Sequence, residues 1–338
     1  MARLTYSQDE LLADHDYVEH HTVLGERLHG GFLADGAYQP PRALVREPAL
    51  DAWEAALRDR GGEPFGATAD LLEGLRMPTA EQQLVLLRNG LGESFWNSLT
   101  ITGKIEAKGR LLAEMTFPDL QDVIVEDISE MAIGHLNKGL LLAHGIDEGG
   151  EPEKGIGGHD AMWFAARDLA FGPGAFPDVE PPENIGRPDA GTRLVPEIPP
   201  EIEGMVSFLA NLLIIEFRAE LGFADSQQVL RTPDVFVDRR ADAELAAEIV
   251  ERIRIDEAIH VRSLNIYLGE MRSVTFSTID GGTVSGAELI DRFWSGLVDW
   301  ATVEQPKLAA VEQRKMLEGR IAVHGEADRV LAEFDAAA

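Results

Sequence analysis

The sequence of 338 residues contains no cysteine. This absence excludes disulfide bonds, thiolate-bound zinc, iron–sulfur clusters and a cysteine nucleophile. Any metal site must therefore be built from oxygen and nitrogen ligands. Such ligands suit iron, manganese, zinc or magnesium.

Positive charge and long apolar runs are also scarce. The chain has 30 Lys and Arg against 59 Asp and Glu, a formal net charge of −29, which argues against nucleic acid or an anionic membrane surface as a partner. Apolar runs such as residues 212–215 are far shorter than the roughly 20 residues that span a bilayer. The N-terminal segment lacks the apolar core of a secretory signal. We therefore expect a cytoplasmic protein that binds neither nucleic acid nor membrane.

Hydrophobic residues make up 45% of the chain, which is enough for a large packed core. We divide the sequence into an N-terminal extension of helices and loops over residues 1–78, a metal-binding bundle over 79–272, and a C-terminal connection with helices over 273–338. Many of the Gly and Pro residues fall in 146–200. This segment is predicted to be a long crossover inside the bundle.

Caps, breakers and apolar periodicity predict four long helices. Thr79 and Gln82 form a capping-box pattern, Pro118 suits the first turn of a helix, and Gly145 is expected to end one. The predicted helices cover residues 79–108, 118–144, 201–221 and 241–272, with a shorter helix at 160–171. Two long helices, a crossover and two more long helices are the connectivity of a ferritin-like bundle.

The most informative motif is Asp-Glu-Ala-Ile-His at residues 256–260. Glu257 and His260 are three positions apart, so they share one helix face and can bind one metal ion. Asp256 is expected to accept a hydrogen bond from a metal-bound imidazole. The alternative for Asp256 is an ordinary surface acid paired with Arg252 or Arg254.

Glu216 is the second candidate ligand. It follows four apolar residues in a helix that is apolar almost all round, and a carboxylate buried there needs a cation or a hydrogen-bonding partner. It precedes Glu257 by 41 positions, which suits one helix, a turn and half of the next. The alternative is that Glu216 faces solvent near Glu220.

The first half of the bundle offers a less regular set of ligands. Glu130 and His135 are five positions apart, so His135 reaches the site only through a helix distortion such as a π-bulge. Glu93 precedes Glu130 by 37 positions. Three alternatives remain open: Glu126 in place of Glu130, His159 in place of His135, and Glu106 in place of Glu93. The basic neighbours of Glu106 suggest that it lies on a solvated face.

The motif at 256–260, preceded by Glu216, resembles the ferritin-like di-iron carboxylate superfamily. This superfamily includes ribonucleotide reductase small subunits, bacterial multicomponent monooxygenase hydroxylases, acyl-carrier-protein desaturases and rubrerythrins. The resemblance covers residues 79–272, and the first half departs from it because Glu130 and His135 are not three apart.

On this resemblance we expect an all-α, ferritin-like four-helix bundle with additional N-terminal and C-terminal helices. It would hold two Fe ions or a Mn/Fe pair, with Glu257 bridging them, His260 bound to one and Asp256 behind the ligands. O₂ and a small-molecule substrate would be the reactants. An electron-donor protein and a homodimeric state are further expectations.

Two other functions compete with this interpretation. Helical phosphohydrolases of the His-Asp type would use His135, His159, Asp160 and Asp256 around one or two metals, whereas the di-iron interpretation leaves His159 outside the ligand set. A ferritin-like chain can also store metal or act as a scaffold without catalysis. Neither alternative is excluded by the sequence.

Overall fold

The computed structural model describes residues 2–183, 186–187 and 193–338. Residues 184–185 and 188–192, which belong to the predicted crossover, lie outside the described residues. The structure is mostly helical, which confirms the predicted all-α class at that level. The helices are α1 (Gln8–Leu11), α2 (Ala43–Asp59), α3 (Ala80–Arg88), α4 (Glu93–Gly109), α5 (Leu111–Glu114), α6 (Leu140–Gly149), α7 (His159–Phe171), α8 (Pro200–Arg231), α9 (Arg240–Arg272), α10 (Gly286–Asp299), α11 (Gln305–Ile321) and α12 (Ala327–Ala336).

Two small antiparallel sheets accompany the helices. The strands are β1 (Glu19–Val23), β2 (Glu26–Phe32) and β3 (Tyr38–Gln39) in one sheet, and β4 (Thr275–Ser277) and β5 (Thr283–Ser285) in the other. None of the helices in the described ranges combines the length and apolar character needed to cross a membrane.

The long helices α8 and α9 pack against each other at the centre of the molecule, and α7 packs on α4 and α9. The apolar core is divided into two clusters along both long helices. On α8 the division falls between Phe217 and Phe223, and on α9 it falls between Ile253 and Ile259. A group of buried polar side chains lies at this division.

The first predicted helix, residues 79–108, is formed in two pieces. The capping box is confirmed, since the Thr79 hydroxyl accepts the Gln82 N–H and the Gln82 side chain accepts the Thr79 N–H. The helix α3 then ends at Arg88, just before Gly90, whose φ of +72° lies in the left-handed region that terminates helices. A second helix, α4, begins at Glu93.

The predicted helix over residues 118–144 is wrong. This segment consists mainly of turns and short 3₁₀ helices, and regular α-helix begins only after Gly139, whose φ of +126° interrupts the chain. Gly145, expected to end a helix, lies inside α6. A Cβ at Gly145 would lie 2.3 Å from the backbone nitrogen of Ala113, so this glycine permits close packing of α6 on α5.

The N-terminal extension contains strands as well as the expected helices and loops. β1 and β2 are joined at Leu24 and Gly25, which have φ of +51° and +86°, a combination typical of a tight hairpin turn. The His29 N–H on β2 donates to the Gly157 carbonyl oxygen at 2.8 Å, just before α7 begins. The hairpin is thereby fixed against the start of α7.

Candidate metal centre

Seven buried side chains from five helices converge at the division of the core. Their donor atoms form two groups of four, and within each group the atoms lie within 4.8 Å of one another. The first group is His144, Glu148, Glu216 and His260, and the second is Glu106, Glu148, His159 and Glu257. Each group can hold a metal ion, and Glu148 belongs to both.

Glu148 and Glu257 are placed to serve both groups. Glu148 Oε1 lies 3.4 Å from His144 Nε2 and 3.2 Å from His260 Nδ1, while its Oε2 lies 3.7 Å from His159 Nδ1. Glu257 Oε2 lies 2.8 Å from His260 Nδ1, and its Oε1 lies 3.0 Å from His159 Nδ1. Each carboxylate therefore turns one oxygen toward each donor group, which is the orientation of a bridging ligand.

These separations match the spacing of ligands around one ion. Two ligands at right angles on an ion with bonds of about 2.1 Å lie about 3 Å apart, and the Glu216 Oε1 to His144 Nε2 distance is 3.1 Å. Among the described residues, His144 Nε2, His159 Nδ1 and Glu257 Oε1 are buried and form no hydrogen bond of acceptable geometry, although Glu216 lies 3.1 Å from His144 Nε2 and the other two atoms lie 3.0 Å apart. Buried polar atoms normally have a partner, and a metal ion would supply it here.

The charge of the cluster also favours cations. Burial, together with the charge of Glu257, raises the pKa of Glu216 to about 7, and burial with the charge of Glu148 raises the pKa of Glu106 well above its ordinary value. Ionising all four carboxylates of the two groups needs compensating positive charge. Two divalent ions would supply four positive charges for four negative ones.

The imidazole of His260 is oriented by a carboxylate behind it. His260 Nε2 lies 3.0 Å from Asp147 Oδ2, which leaves Nδ1 facing the first donor group. Asp147 is fully buried and accepts hydrogen bonds from Arg42 Nε at 2.7 Å and Arg46 Nη2 at 2.6 Å. The start of α2 therefore fixes a ligand of α9 through Asp147 of α6.

The imidazole of His159 has an equivalent arrangement. His159 Nε2 lies 3.3 Å from Asp256 Oδ2, and its Nδ1 faces Glu257 and Glu148. The Tyr38 hydroxyl donates to Asp256 Oδ2 at 3.0 Å, and His29 Nε2 lies 3.2 Å from the same oxygen. The three-stranded sheet therefore forms the wall behind this ligand. Carboxylates that orient metal-bound imidazoles are typical of metal sites.

The predicted residues of the second half are brought together. Glu216, Glu257 and His260 all belong to the two donor groups. Glu216 is 5% exposed, so the solvent-facing alternative is wrong. Asp256 lies beside an imidazole as expected, and that imidazole belongs to His159.

The predicted ligands of the first half lie elsewhere, and their assignment to the site is corrected. Glu93 begins α4 with its side chain 46% exposed, and Glu130 is exposed in a turn. His135 is buried, but its Nδ1 bonds the Met131 carbonyl at 2.7 Å and its Nε2 accepts the Tyr6 N–H at 3.2 Å. The π-bulge that would have turned His135 inward does not form, because the segment is 3₁₀ helix.

Two of the alternative residues do belong to the cluster. Glu106 is buried among its members, while the neighbouring Lys104 turns outward to Asp178 and Glu180. His159 is also a member, contrary to its expected place outside the ligand set. Glu126 is exposed and instead accepts hydrogen bonds from Thr275.

His144 and Glu148 were missed as ligands, although the sequence contains a pattern that indicates them. Ile-Asp-Glu occurs at 146–148 and again at 255–257, followed each time by a small residue. The two copies occupy equivalent positions in the structure. Each Glu lies between the donor groups, and each Asp contacts an imidazole of another helix. His144 precedes Glu148 by four positions, the spacing of one helical face.

Comparisons with protein-family models, curated proteins and solved structures found no match for this chain. The geometry of the cluster is thus the basis for a functional assignment. Three imidazoles and four carboxylates in two adjoining groups form a donor set that suits iron, manganese or zinc.

Proposed function

We propose that the chain is a non-haem di-iron, or manganese–iron, carboxylate oxidoreductase of ferritin-like type. It would use O₂ to oxidise or oxygenate a small organic substrate. The observation that carries this proposal is the placement of Glu148 and Glu257, each with one oxygen toward each donor group. Carboxylate-bridged pairs of metals in helical bundles are built from such residues.

The residues divide naturally between two ions. His144, Glu216 and His260 would hold one ion, Glu106 and His159 would hold the other, and Glu148 with Glu257 would bridge them. Two reduced ions held by these residues would supply electrons for the reduction of O₂. The apolar clusters on either side of the site exclude water from it.

The arrangement supports a variant of the ferritin-like pattern. The helices α4 and α8 each supply one Glu to the donor groups, and α9 supplies Glu-x-x-His. In place of one further helix with the same motif, α6 supplies His144 and Glu148, and α7 supplies His159. The site thus has one imidazole more than the pattern requires.

The phosphohydrolase alternative has less support. His159 and Asp256 do approach to 3.3 Å. However, His135 and Asp160 belong to neither donor group in the described structure, and Asp160 accepts the N–H of Ala161. That alternative also leaves Glu216 and Glu257 without a role.

Metal analysis after growth with iron and manganese tests the proposal. We expect two iron or manganese ions per chain, and O₂ consumption when the Fe(II)-loaded protein is mixed with air-saturated buffer. Glu257→Gln should lose both properties, because a bridging ligand serves both ions. The matched control is Glu248→Gln, which removes an exposed carboxylate from the same helix and should retain both.

Other outcomes would overturn the proposal. Phosphate-ester hydrolysis without O₂ consumption would favour the phosphohydrolase. Accumulation of many iron atoms per chain would favour storage. Absence of bound metal from the original protein, together with an intact fold in Glu257→Gln, would favour a scaffold.

A further inference from the structure

A cavity of about 370 Å³ lies between α4 and α8. This volume falls in the usual range of small-molecule sites, about 300–1,000 Å³. Part of its wall is formed by α11 and by the single π-helical turn Trp300–Glu304 before it, and turns of this kind are frequent at functional sites. Much of the wall is apolar and includes Leu72, Phe95, Ile101, Leu221 and Val229.

The helix α8 lies between this cavity and the metal centre. Leu221, Asp225 and Val229 line the cavity from α8 at intervals of four positions, so they share one face. Glu216 precedes Asp225 by nine positions, which places it about 180° away around the helix. Among the described residues, those that line the cavity include no donor of either metal group. The cavity is therefore a separate site.

The charged groups of the lining are paired within the protein. Arg76, Arg320 and Asp225 all line the cavity. Arg76 Nε lies 2.9 Å from Asp225 Oδ2, and Arg320 Nη2 lies 3.7 Å from Glu93 Oε1. These pairs set positive charge against negative charge at both places.

Arg218, the third arginine of the lining, also has partners. Its Nη2 donates to Gln305 Oε1 at 3.5 Å, and its guanidinium group lies 5.0 Å from the centre of the Trp300 ring, a cation–π contact. An ionised ligand would compete with the existing partners of each charged group and would lose its own hydration, which is costly. The lining therefore favours an uncharged ligand.

Two buried amide groups supply hydrogen-bonding capacity. Gln83 on α3 and Asn97 on α4 line the cavity at 7% and 8% exposure. Within the described ranges of the chain, Gln83 Oε1 and Asn97 Oδ1 have no hydrogen-bond partner, which is unfavourable for a buried polar atom. Since neither oxygen has a bond to lose, rotation of the side chain can turn it toward the cavity. Each amide can then accept through its oxygen and donate through its NH₂ group.

We propose that this cavity binds an uncharged amphiphile whose head group both donates and accepts hydrogen bonds, as a hydroxyl or a carboxamide does. The head group would lie against Gln83 and Asn97, and the hydrocarbon part would lie along the apolar wall of α4 and α8. The charged groups of the lining would keep their present partners. This site goes beyond the proposed oxidoreductase function and does not depend on it.

Calorimetric titration of the full-length protein with octan-1-ol and three probes of similar length tests the proposal. Octan-1-ol should bind with a stoichiometry of one. 1-Methoxyheptane, which accepts a hydrogen bond but cannot donate one, should bind about 2–10-fold more weakly. Octanoate and octylammonium should each bind at least roughly tenfold more weakly, because their charges must be dehydrated. A charged probe that binds as tightly as the alcohol, or an alcohol that shows no saturable binding, would contradict the proposal.

The role of the amides is tested by the double variant Gln83→Met with Asn97→Leu, in which apolar side chains of similar size replace them. This variant should bind octan-1-ol and 1-methoxyheptane equally. Gln8→Met, which replaces an exposed amide on α1, is the matched control and should retain the preference for the alcohol. An unchanged preference in the double variant, or an equal loss of affinity for both probes, would contradict the role of the amides.

A cavity-filling variant locates the binding independently of the amides. Ala309 lines the cavity from α11, and Ala309→Phe should abolish binding of both octan-1-ol and 1-methoxyheptane by occupying the space. Circular dichroism verifies the fold of this variant and of the double variant, and if one of them does not fold, the other decides. Retained binding in a folded Ala309→Phe protein would place the ligand elsewhere and overturn the proposal.

The metal site provides the last control. Glu257→Gln should bind octan-1-ol as well as the original protein does. Binding of the alcohol that disappears in Glu257→Gln would place the ligand at the metal centre and overturn the separate site. Failure to bind iron with intact octan-1-ol binding would instead count against the proposed function alone.

Discussion

Asp147 and Asp256 determine which ring nitrogen of His260 and His159 faces the carboxylates of the site. Each Asp lies at the Nε2 of its partner, at 3.0 and 3.3 Å, so each ring presents Nδ1 to the cluster. Asp147 also balances the charge of two buried arginines, so its loss would leave those charges unpaired. Asp256 is therefore the better position at which to test this orienting role by substitution.

Asp256→Asn should weaken metal binding about 10–100-fold at the position served by His159. The substitution keeps the shape of the side chain but weakens its hold on the imidazole. A competitive titration with a chelator should then show one tight ion and one weak ion per chain. Asp160→Asn, at the neighbour of His159, is the control. Two unchanged affinities in Asp256→Asn would show that Asp256 does not orient the ligand.

Glu270 is a buried carboxyl outside the metal centre. It accepts the Ile133 N–H at 3.0 Å and lies 3.2 Å from Arg60 Nη2, yet burial raises its pKa to about 7. In the unfolded chain the carboxyl ionises at about 4.5. Its ionisation therefore destabilises the folded state as pH rises from about 4.5 to about 7, by about 3 kcal/mol at most.

Glu270→Gln should therefore be more stable than the original protein at pH 8 and should lose that advantage at pH 5. The amide still accepts the backbone N–H but has no proton to lose. Denaturant unfolding at both pH values measures the difference, with the exposed Glu248→Gln as the control for one lost charge. A stability difference that does not vary with pH would contradict the shifted ionisation.

The sequence could predict those site residues whose pattern lies within a single helix. Glu257 and His260 share a face of α9, and Glu216 stands out as the one acid in an apolar stretch. Glu106 could not be assigned in this way, because its burial depends on which helices pack against α4. The basic neighbour Lys104 suggested a solvated face, but its side chain turns outward to Asp178 and Glu180 while Glu106 is buried.

At the scale of elements, glycine sets how closely the helices approach the site. A Cβ at Gly109, the last residue of α4, would lie 2.5 Å from Cγ and 2.7 Å from Cβ of Glu148. The end of α4 is thus in direct contact with the side chain that faces both donor groups. A larger residue would have to displace Glu148.

Gly109→Ala should reduce the metal content although alanine is the better helix former by about 1 kcal/mol. The methyl group pushes Glu148 out of its position between the two groups. Metal analysis of the purified variant checks the prediction. Gly204→Ala is the matched control, since a Cβ at this position of α8 meets nothing within 4 Å, and it should retain full metal content. Full metal content in Gly109→Ala would refute the contact's importance.

Long helices were predictable because their patterns are long. The predicted segments 201–221 and 241–272 correspond to α8 and α9, with α8 extending ten residues further to Arg231. The short helix α6 was missed because Gly145 was interpreted as a terminator. Its role, a close approach to Ala113, depends on a neighbour that only the folded structure identifies.

At the scale of the whole molecule, the proposed metal centre places four of the acidic side chains of a chain with a net charge of −29 in the core. Repulsion among buried carboxylates opposes folding, and bound cations remove it. Metal ions that bind the folded state alone also stabilise it by mass action. Stability and metal content should therefore be coupled.

Treatment with a chelator should lower the melting temperature. An ion present at a hundredfold excess over its Kd contributes about 2.7 kcal/mol, which corresponds to roughly 4 °C for a chain of 338 residues. Differential scanning calorimetry before and after chelation, and again after addition of Fe(II), measures the change and its reversal. The Glu257→Gln variant should show little response to either treatment. An equal response in that variant would place the stabilising ions elsewhere.

The contact between β2 and α9 has a consequence for synthesis on the ribosome. His29 and Asp256 lie 3.2 Å apart in space but are separated by 227 positions in the sequence, so they are made at widely different times. His144 and Glu148 are made well before Glu257 and His260, an interval on the order of ten seconds at typical elongation rates. During that time the early ligands emerge without the imidazole and carboxylate that complete their site. The complete set of proposed ligands, and with it the selection of a metal by the whole site, can therefore exist only after His260 has been made.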